Sequence, residues 1–272
     1  MKIKKKTGMV KTMEIDKNTL LLWTQFRDYH FYESEHYYTY KGERVGTSVT
    51  QFIGSKSQPF DKEKMSQRVA EKEGCSQQEI LNRWQKGADI SCVLGTLFHL
   101  RSELYAAGKT FDIDYSEAEK LNIKKPVQER LEKLMPMQDE FFKSIHGRLL
   151  PLKTEFTVGI GKYIAGNIDL LAWNEKDKEI QIWDYKTNKE IKMKNDFGKK
   201  MLDEFVDLDD CEFCHYSVQL NIYKEIIERN LGIKIGKCFL AYFNEKNEHW
   251  EPIRCLDVQD KVKTALNNLC YN

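Results

Sequence analysis

The sequence predicts an α/β fold. A central mixed sheet, made of a three-strand meander, a helix and a further strand, carries helices on its faces and follows a helical N-terminal part. Three observations point to it. Apolar residues recur at helical spacing through residues 59–143. The period then drops to two in three consecutive segments between 154 and 187. A long helical stretch follows, and after it a strand-like run over residues 237–244.

Residues 1–20 are expected to form an arm with little structure of their own, 21–145 a hairpin and helices, and 150–260 the sheet core. With no repeat, low-complexity block or Pro/Gly/Ser linker, the whole span 1–272 reads as one domain. Aromatic alternation from Phe31 to Ser48 around Lys41-Gly42 predicts a small hairpin. Pro59-Phe60-Asp61 starts a helix through about Glu73. Ser76 and Glu79 form a capping box for a second helix, ending near Gly87. A third runs from about Asp89 to Ala107, with Ile90, Val93, Leu94, Leu97 and Leu104 as its apolar stripe. Pro126 opens a fourth, ending near Lys143. Thr154–Ile160, Tyr163–Trp173 and Glu179–Thr187 are the meander, separated by Gly161-Lys162 and by 174–178. A charged stretch from Asn188 to Asp210 leads into a helix over about Phe213–Asn230.

The composition is that of a folded chain. Hydrophobic residues make up 41%, and five Trp, thirteen Tyr and fourteen Phe argue against general disorder. Lys and Arg total 43 against 42 Asp and Glu, so any phosphate-binding surface must be a local patch. The basic start has no apolar segment behind it, and no apolar run is long enough for a membrane helix. Seven cysteines without a secretory signal point to free thiols and a cytoplasmic location.

The third meander strand places Asp184 and Lys186 on one face and Trp183 and Tyr185 on the other. Asp169 sits in the preceding strand, within Gly166-Asn167-Ile168-Asp169, also among apolar neighbours. Antiparallel neighbours can bring Asp169 and Asp184 side by side, where their repulsion calls for a cation. Mg²⁺ or Mn²⁺ suits two carboxylates, waters and phosphate oxygens, and lowers the pKa of a bound water. The plain alternative makes Asp184 and Lys186 strand-end charges and Asp169 a turn residue.

Gly95-Thr96-Leu97-Phe98-His99, Gly166-Asn167-Ile168-Asp169, Asp184-Tyr185-Lys186-Thr187 and Gln219-Leu220-Asn221-Ile222-Tyr223 occur in that order. Together they resemble the RecB-type branch of the PD-(D/E)XK nucleases, with its GT-x-x-H, G-x-x-D, D-Y-K-T and Q-x-x-x-Y elements. Compact size and the Ser-Val-Thr-Gln-Phe-Ile-Gly stretch over 48–54 look most like stand-alone phage-type and mitochondrial genome maintenance exonucleases. The resemblance implies a restriction-endonuclease-like core. It also implies metal-dependent hydrolysis of DNA, at ends or on single strands, in replication, recombination or repair, with a recombination or replication protein as a further partner. By resemblance, Asp169, Asp184 and Lys186 are the catalytic set, and His99, Asp169, Asp184 and the Tyr185 carbonyl are metal ligands. Gln219 and Tyr223 would reach the DNA, and Glu155 would support a ligand or water.

Each of these has a plainer reading. A lone helical histidine can be structural, although His99 shares a small-residue face with Cys92, Gly95 and Thr96, which would allow close approach to the sheet. Glu155 can be an exposed strand carboxylate. Gln219 and Tyr223 can belong to an ordinary core stripe. Cys211-Glu212-Phe213-Cys214-His215 matches a haem-attachment pattern, but without an export signal no haem is expected. The remaining cysteines depart from the spacing of cluster-bearing relatives, so an iron–sulfur cluster is not expected either. Lys189, Lys192, Lys194, Lys199 and Lys200 form either a solvated surface or a guide for a phosphate backbone. The hairpin aromatics either pack locally or stack on unpaired bases. The alternatives to an exonuclease are a structure-specific or restriction-type endonuclease, and an inactive nuclease-like DNA-binding or assembly subunit.

Overall fold

A computed structural model describes residues 24–32, 35–110 and 112–271; the expected arm over 1–20 lies outside them. The elements run β1 (Tyr29–Tyr32), β2 (Tyr37–Tyr40), β3 (Glu43–Arg44), β4 (Thr47–Ser48), α1 (Val49–Ser55), α2 (Lys62–Glu73) and α3 (Gln77–Ala106). They continue with α4 (Ser116–Lys120), α5 (Lys124–Ile145), β5 (Leu149–Ile160), β6 (Ile164–Asn174), β7 (Glu179–Lys186) and a short 3-10 turn at Asp203–Phe205. The chain then forms α6 (Glu212–Leu231), β8 (Ile235–Tyr242), β9 (Glu251–Arg254) and α7 (Gln259–Tyr271).

The α/β core follows the expected plan. β5, β6 and β7 form an antiparallel meander, α6 crosses over, and β8 returns parallel to β7. Helices cover both faces of the sheet. Val49 and Phe52 of α1, Val218 and Ile222 of α6, and Val262 and Leu266 of α7 pack with Ile168, Leu171 and Ile182. Opposite them, Leu94 and Phe98 of α3 and Leu131 and Phe141 of α5 pack with Leu170, Trp183 and Tyr185.

Several boundaries differ from the sequence reading, each for a local reason. The two helices expected to divide near Gly87 are one 30-residue helix, α3. A helical Gly costs only about 1 kcal/mol relative to Ala, and burial of Ile80 on one side and Val93, Leu94 and Phe98 on the other outweighs that cost. Its start is as expected, with the Ser76–Glu79 capping box formed. The single hairpin is a three-stranded sheet. Lys41 and Gly42, both at positive φ, turn β2 into β3, while β1 adds on the other edge of β2. β5 starts at Leu149 rather than Thr154, and α4, β9 and α7 were not anticipated.

The register of β6 places a break in the sheet. β5 pairs with β6 from Leu149↔Asn174 to Ile160↔Ile164, covering one edge. On the other edge, β7 holds 170–174, and β4 holds Ile164 and Ala165 in parallel. Residues 166–169 lie between these two partners, so the Gly-Asn-Ile-Asp segment occupies the gap. Gly166 is required there: a Cβ on it would lie 2.8 Å from Tyr223 Cε1 and 3.0 Å from Val49 Cγ2. A glycine in a strand interior often marks such an approach.

Gly166→Ala should therefore push α1 and α6 away from β6. Overpacking of this kind typically costs about 1–3 kcal/mol, measurable as a lower denaturation midpoint. Unchanged stability would mean that the two helices do not pack this closely.

Candidate active site

The gap brings three carboxylates into one row. The register pairing Thr154 with Leu170 and Phe156 with Ile168 sets Glu155 opposite Asp169. The β6–β7 register ends at Leu170↔Trp183, and its next step would set Asp169 opposite Asp184. The strands separate at that step, and the Tyr185 N–H donates to Asp169 Oδ2 at 2.7 Å. Glu155 has φ +44°, a left-handed conformation for a non-glycine residue inside a strand. Such backbone costs of order 1–3 kcal/mol and clusters at functional sites.

From α3, His99 enters the row. Its Nδ1 lies 3.5 Å from both Glu155 Oε1 and Asp169 Oδ1, and its Nε2 lies 3.2 Å from the Tyr185 carbonyl oxygen. With one proton on Nε2 donated to that carbonyl, Nδ1 faces the carboxylates, which hold a second proton there until a cation replaces it. Burial alone would lower the His99 pKa, but Asp169, Glu155 and Asp184 outweigh it and carry it up to about 9. Asp169 is raised chiefly by burial, with Asp184 and Glu155 adding to the shift and His99 opposing it. Donor atoms of His99, Glu155 and Asp169 all lie within 4.8 Å of one another, the only such group among the described residues. The small face of α3 serves differently from the expectation. A Cβ on Gly95 would meet nothing within 4 Å, and Gly95 and Thr96 border an open cavity of about 450 Å³ beside His99.

Asp184 and Lys186 share a face, as their spacing predicts. Lys186 Nζ lies 2.5 Å from Asp184 Oδ2, an ion-pair contact without hydrogen-bond geometry. Lys186 sits over the Tyr216 ring, 4.3 Å from its centroid. Its side chain is 15% exposed, deeper than a strand-end charge would be. Burial lowers the Lys186 pKa, but Asp184 and Asp169 more than reverse the effect, so the ammonium stays charged. Asp184 thus engages Lys186 here rather than joining the cluster, and the Tyr185 carbonyl engages His99.

Gln219 and Tyr223 lie on one face of α6, and the Gln219 amide donates to Tyr223 Oη at 3.1 Å. Tyr223 is buried against Gly166, while Gln219 is only half-buried. Glu155, treated by sequence as a supporting residue, takes a more central place. The signal was the meander register, which needs the positions of both turns.

All seven cysteines are free, with Cys211 and Cys214 buried near each other and Cys75 and Cys92 on the helical part. In the charged stretch, Lys192 pairs with Asp196, and Lys200 pairs with Asp209. No helix among the described residues is long and apolar enough to cross a membrane.

A sequence model of the PD-(D/E)XK nuclease superfamily matches residues 75–268. The chain belongs to that superfamily. Curated proteins give no match. Among solved structures, the chain is similar to a "putative exonuclease" from Eubacterium rectale, at 14% identity and a TM-score of 0.31, covering 70% of this chain and 82% of that one. It is also similar to SSO0001, at 15% identity and a TM-score of 0.27, covering 64% and 84%. The PD-(D/E)XK membership makes the chain a metal-dependent nuclease with the expected mixed-sheet core, and the His99–Glu155–Asp169 cluster is an acidic site suited to a metal ion. Two carboxylates and an imidazole around one point, one carboxylate raised by burial, fit a divalent cation that restores its ionised form.

Mn²⁺ should therefore stabilise the protein. At a hundredfold excess over Kd the gain is about 2.7 kcal/mol, a rise in Tm of roughly 5 °C or more. Asp169→Asn should abolish the shift, and Glu155→Gln should reduce it. Binding requires ionised Asp169 and neutral His99, so affinity should strengthen as pH rises toward 9. A full thermal shift in Asp169→Asn would place the ion elsewhere.

Proposed function

We propose that this chain is a DNA exonuclease of the RecB-type branch, most like the stand-alone phage-type and mitochondrial genome maintenance enzymes. It would act on DNA ends or single strands in the cytoplasm, in replication, recombination or repair. The observation that carries the reading is the carboxylate row Glu155–Asp169–Asp184 in the β6 gap, with a charged Lys186 at its end. The single domain over 1–272 belongs to the same proposal.

His99, Glu155 and Asp169 would hold the divalent ion, with Asp184 next in the row. The ion, when bound, polarises the phosphoryl group and makes a bound water acidic. The chain's own groups do the rest. The Tyr185 N–H holds Asp169 Oδ2, and the Tyr185 carbonyl holds His99 Nε2, so the backbone of one residue orients two ligands. Lys186 keeps its proton and so acts as a cation, offsetting negative charge that grows on the phosphorane oxygens. Gln219 and Tyr223 close the far side of the gap, with the half-buried Gln219 amide available to the DNA backbone.

Lys186→Ala should lower turnover on the order of 10²–10³-fold, with DNA affinity retained because dispersed phosphate contacts dominate binding. Removing Lys186 leaves Asp184 buried without its partner, so circular dichroism must show a folded variant. Lys186→Arg, which keeps the charge, should recover part of the rate. A wild-type rate in Lys186→Ala would remove the lysine from the mechanism. With Mg²⁺ or Mn²⁺, end-labelled linear DNA should be degraded while covalently closed circles survive. Efficient cutting of closed circles would make the enzyme an endonuclease.

A further inference from the structure

The cavity of about 450 Å³ beside the carboxylate row is not used by the chemistry described above. It shares His99 and Glu155 with the row, so whatever fills it lies directly against the proposed metal ligands. Its other walls are Phe31 and His36 from the N-terminal sheet and Thr96, Leu100 and Glu103 from α3. Asn167, from the gap in β6, completes the lining.

We infer that this cavity holds one unpaired nucleobase of the substrate, the base flanking the phosphate to be cut. The inference rests on the nuclease reading and deepens it. The volume lies in the range of small-ligand sites. The lining away from the metal ligands disfavours phosphate: among the described residues that border the cavity, none is lysine or arginine, and Glu103, outside the donor set, would repel an anion.

A base fits the same walls. Phe31 and Leu100, the latter 41% exposed, offer apolar surface to a flat ring. Phe31 is held in place by stacking on Tyr38, with ring centroids 4.7 Å apart and planes 25° from parallel. Thr96, Asn167 and Glu103 offer hydrogen-bonding groups for a base edge, with the Glu103 carboxylate an acceptor for amino and imino N–H groups. A base still in a duplex presents neither its faces nor its pairing edge, so entry requires an unpaired nucleotide. The aromatic sheet β1–β2–β3 thereby selects frayed ends and single strands. It is anchored on the nuclease core by Tyr29, whose hydroxyl donates to the Gly161 carbonyl at 3.0 Å.

The test uses the full chain with Mn²⁺, single-stranded oligonucleotides, and an oligomer of abasic tetrahydrofuran phosphates that has the backbone but no bases. Loss of one base stack is worth on the order of tenfold. Phe31→Ala should lose about that factor in kcat/KM on the oligonucleotide, Phe31→Tyr should stay near wild type, and Leu100→Ala should lose less. On the abasic oligomer, Phe31→Ala and wild type should cleave equally slowly. With Ca²⁺ in place of Mn²⁺, one 2-aminopurine position should be quenched on binding by wild type and unquenched with Phe31→Ala. The inference is overturned if Phe31→Ala matches wild type on the oligonucleotide, or if it loses both substrates in equal proportion. Quenching by a wild type that cleaves nothing would support the base pocket while removing the nuclease reading.

Discussion

The site depends on one hydrogen bond that replaces a rung of the sheet. Where β6 and β7 would pair at Asp169 and Asp184, the strands part, and the Tyr185 N–H is taken by the Asp169 carboxylate. A buried backbone donor without a partner costs about 1–3 kcal/mol, so the separation is tolerable only because a side chain meets that donor. The substitution does two things together. It opens the edge of β6 between β4 and β7, and it fixes one oxygen of Asp169 so that the other faces His99.

The electrostatics of the row follow from that opening. Glu155, Asp169 and Asp184 bring three carboxylates together, and two basic groups, Lys186 and His99, stand against them. Lys186 is committed to Asp184, which leaves His99 as the counter-charge for the other two. A raised His99 pKa is what this predicts, with its proton occupying the place that a divalent cation would take. Exchange of that proton for a metal ion would convert His99 from counter-ion to ligand without moving its ring, because Nδ1 already faces the carboxylates. Lys186 stays charged through the exchange and keeps one positive group at the β7 end of the row.

Much of this was legible in the sequence, for physical reasons. Period-two alternation in Trp183-Asp184-Tyr185-Lys186 is enforced by strand geometry, and Trp183 and Tyr185 do pack in the α3–α5 core while Asp184 and Lys186 face α6. Capping chemistry at Ser76 and Glu79 is local, so the start of α3 could be read to the residue. What could not be read depends on contacts distant in the chain. Gly87 looked like a helix end because local propensity cannot weigh the burial of Ile80 and Leu94 on either side of it. The small face at Gly95 and Thr96 was legible as small. Whether it met a sheet or bordered a cavity depended on where β1 and β5 came to rest. Depth of burial at Lys186 was set by Tyr216, thirty residues on, and strand periodicity carries no information about it.

Glu155 is the case where the two levels conflict most. Its left-handed backbone would be free of strain with glycine and milder with asparagine. The ladder resumes on both sides of it, at Thr154↔Leu170 and Phe156↔Ile168, so the sheet itself has no need of the distortion. A glutamate in ordinary extended backbone would project straight from the pleat. The twist at φ +44° sets its carboxylate beside His99 Nδ1 and within reach of the Asp169 oxygen. A residue that is strained where the ladder does not require it, with its carboxylate where two other donor atoms already converge, fits the proposed donor set better than it fits a packing role.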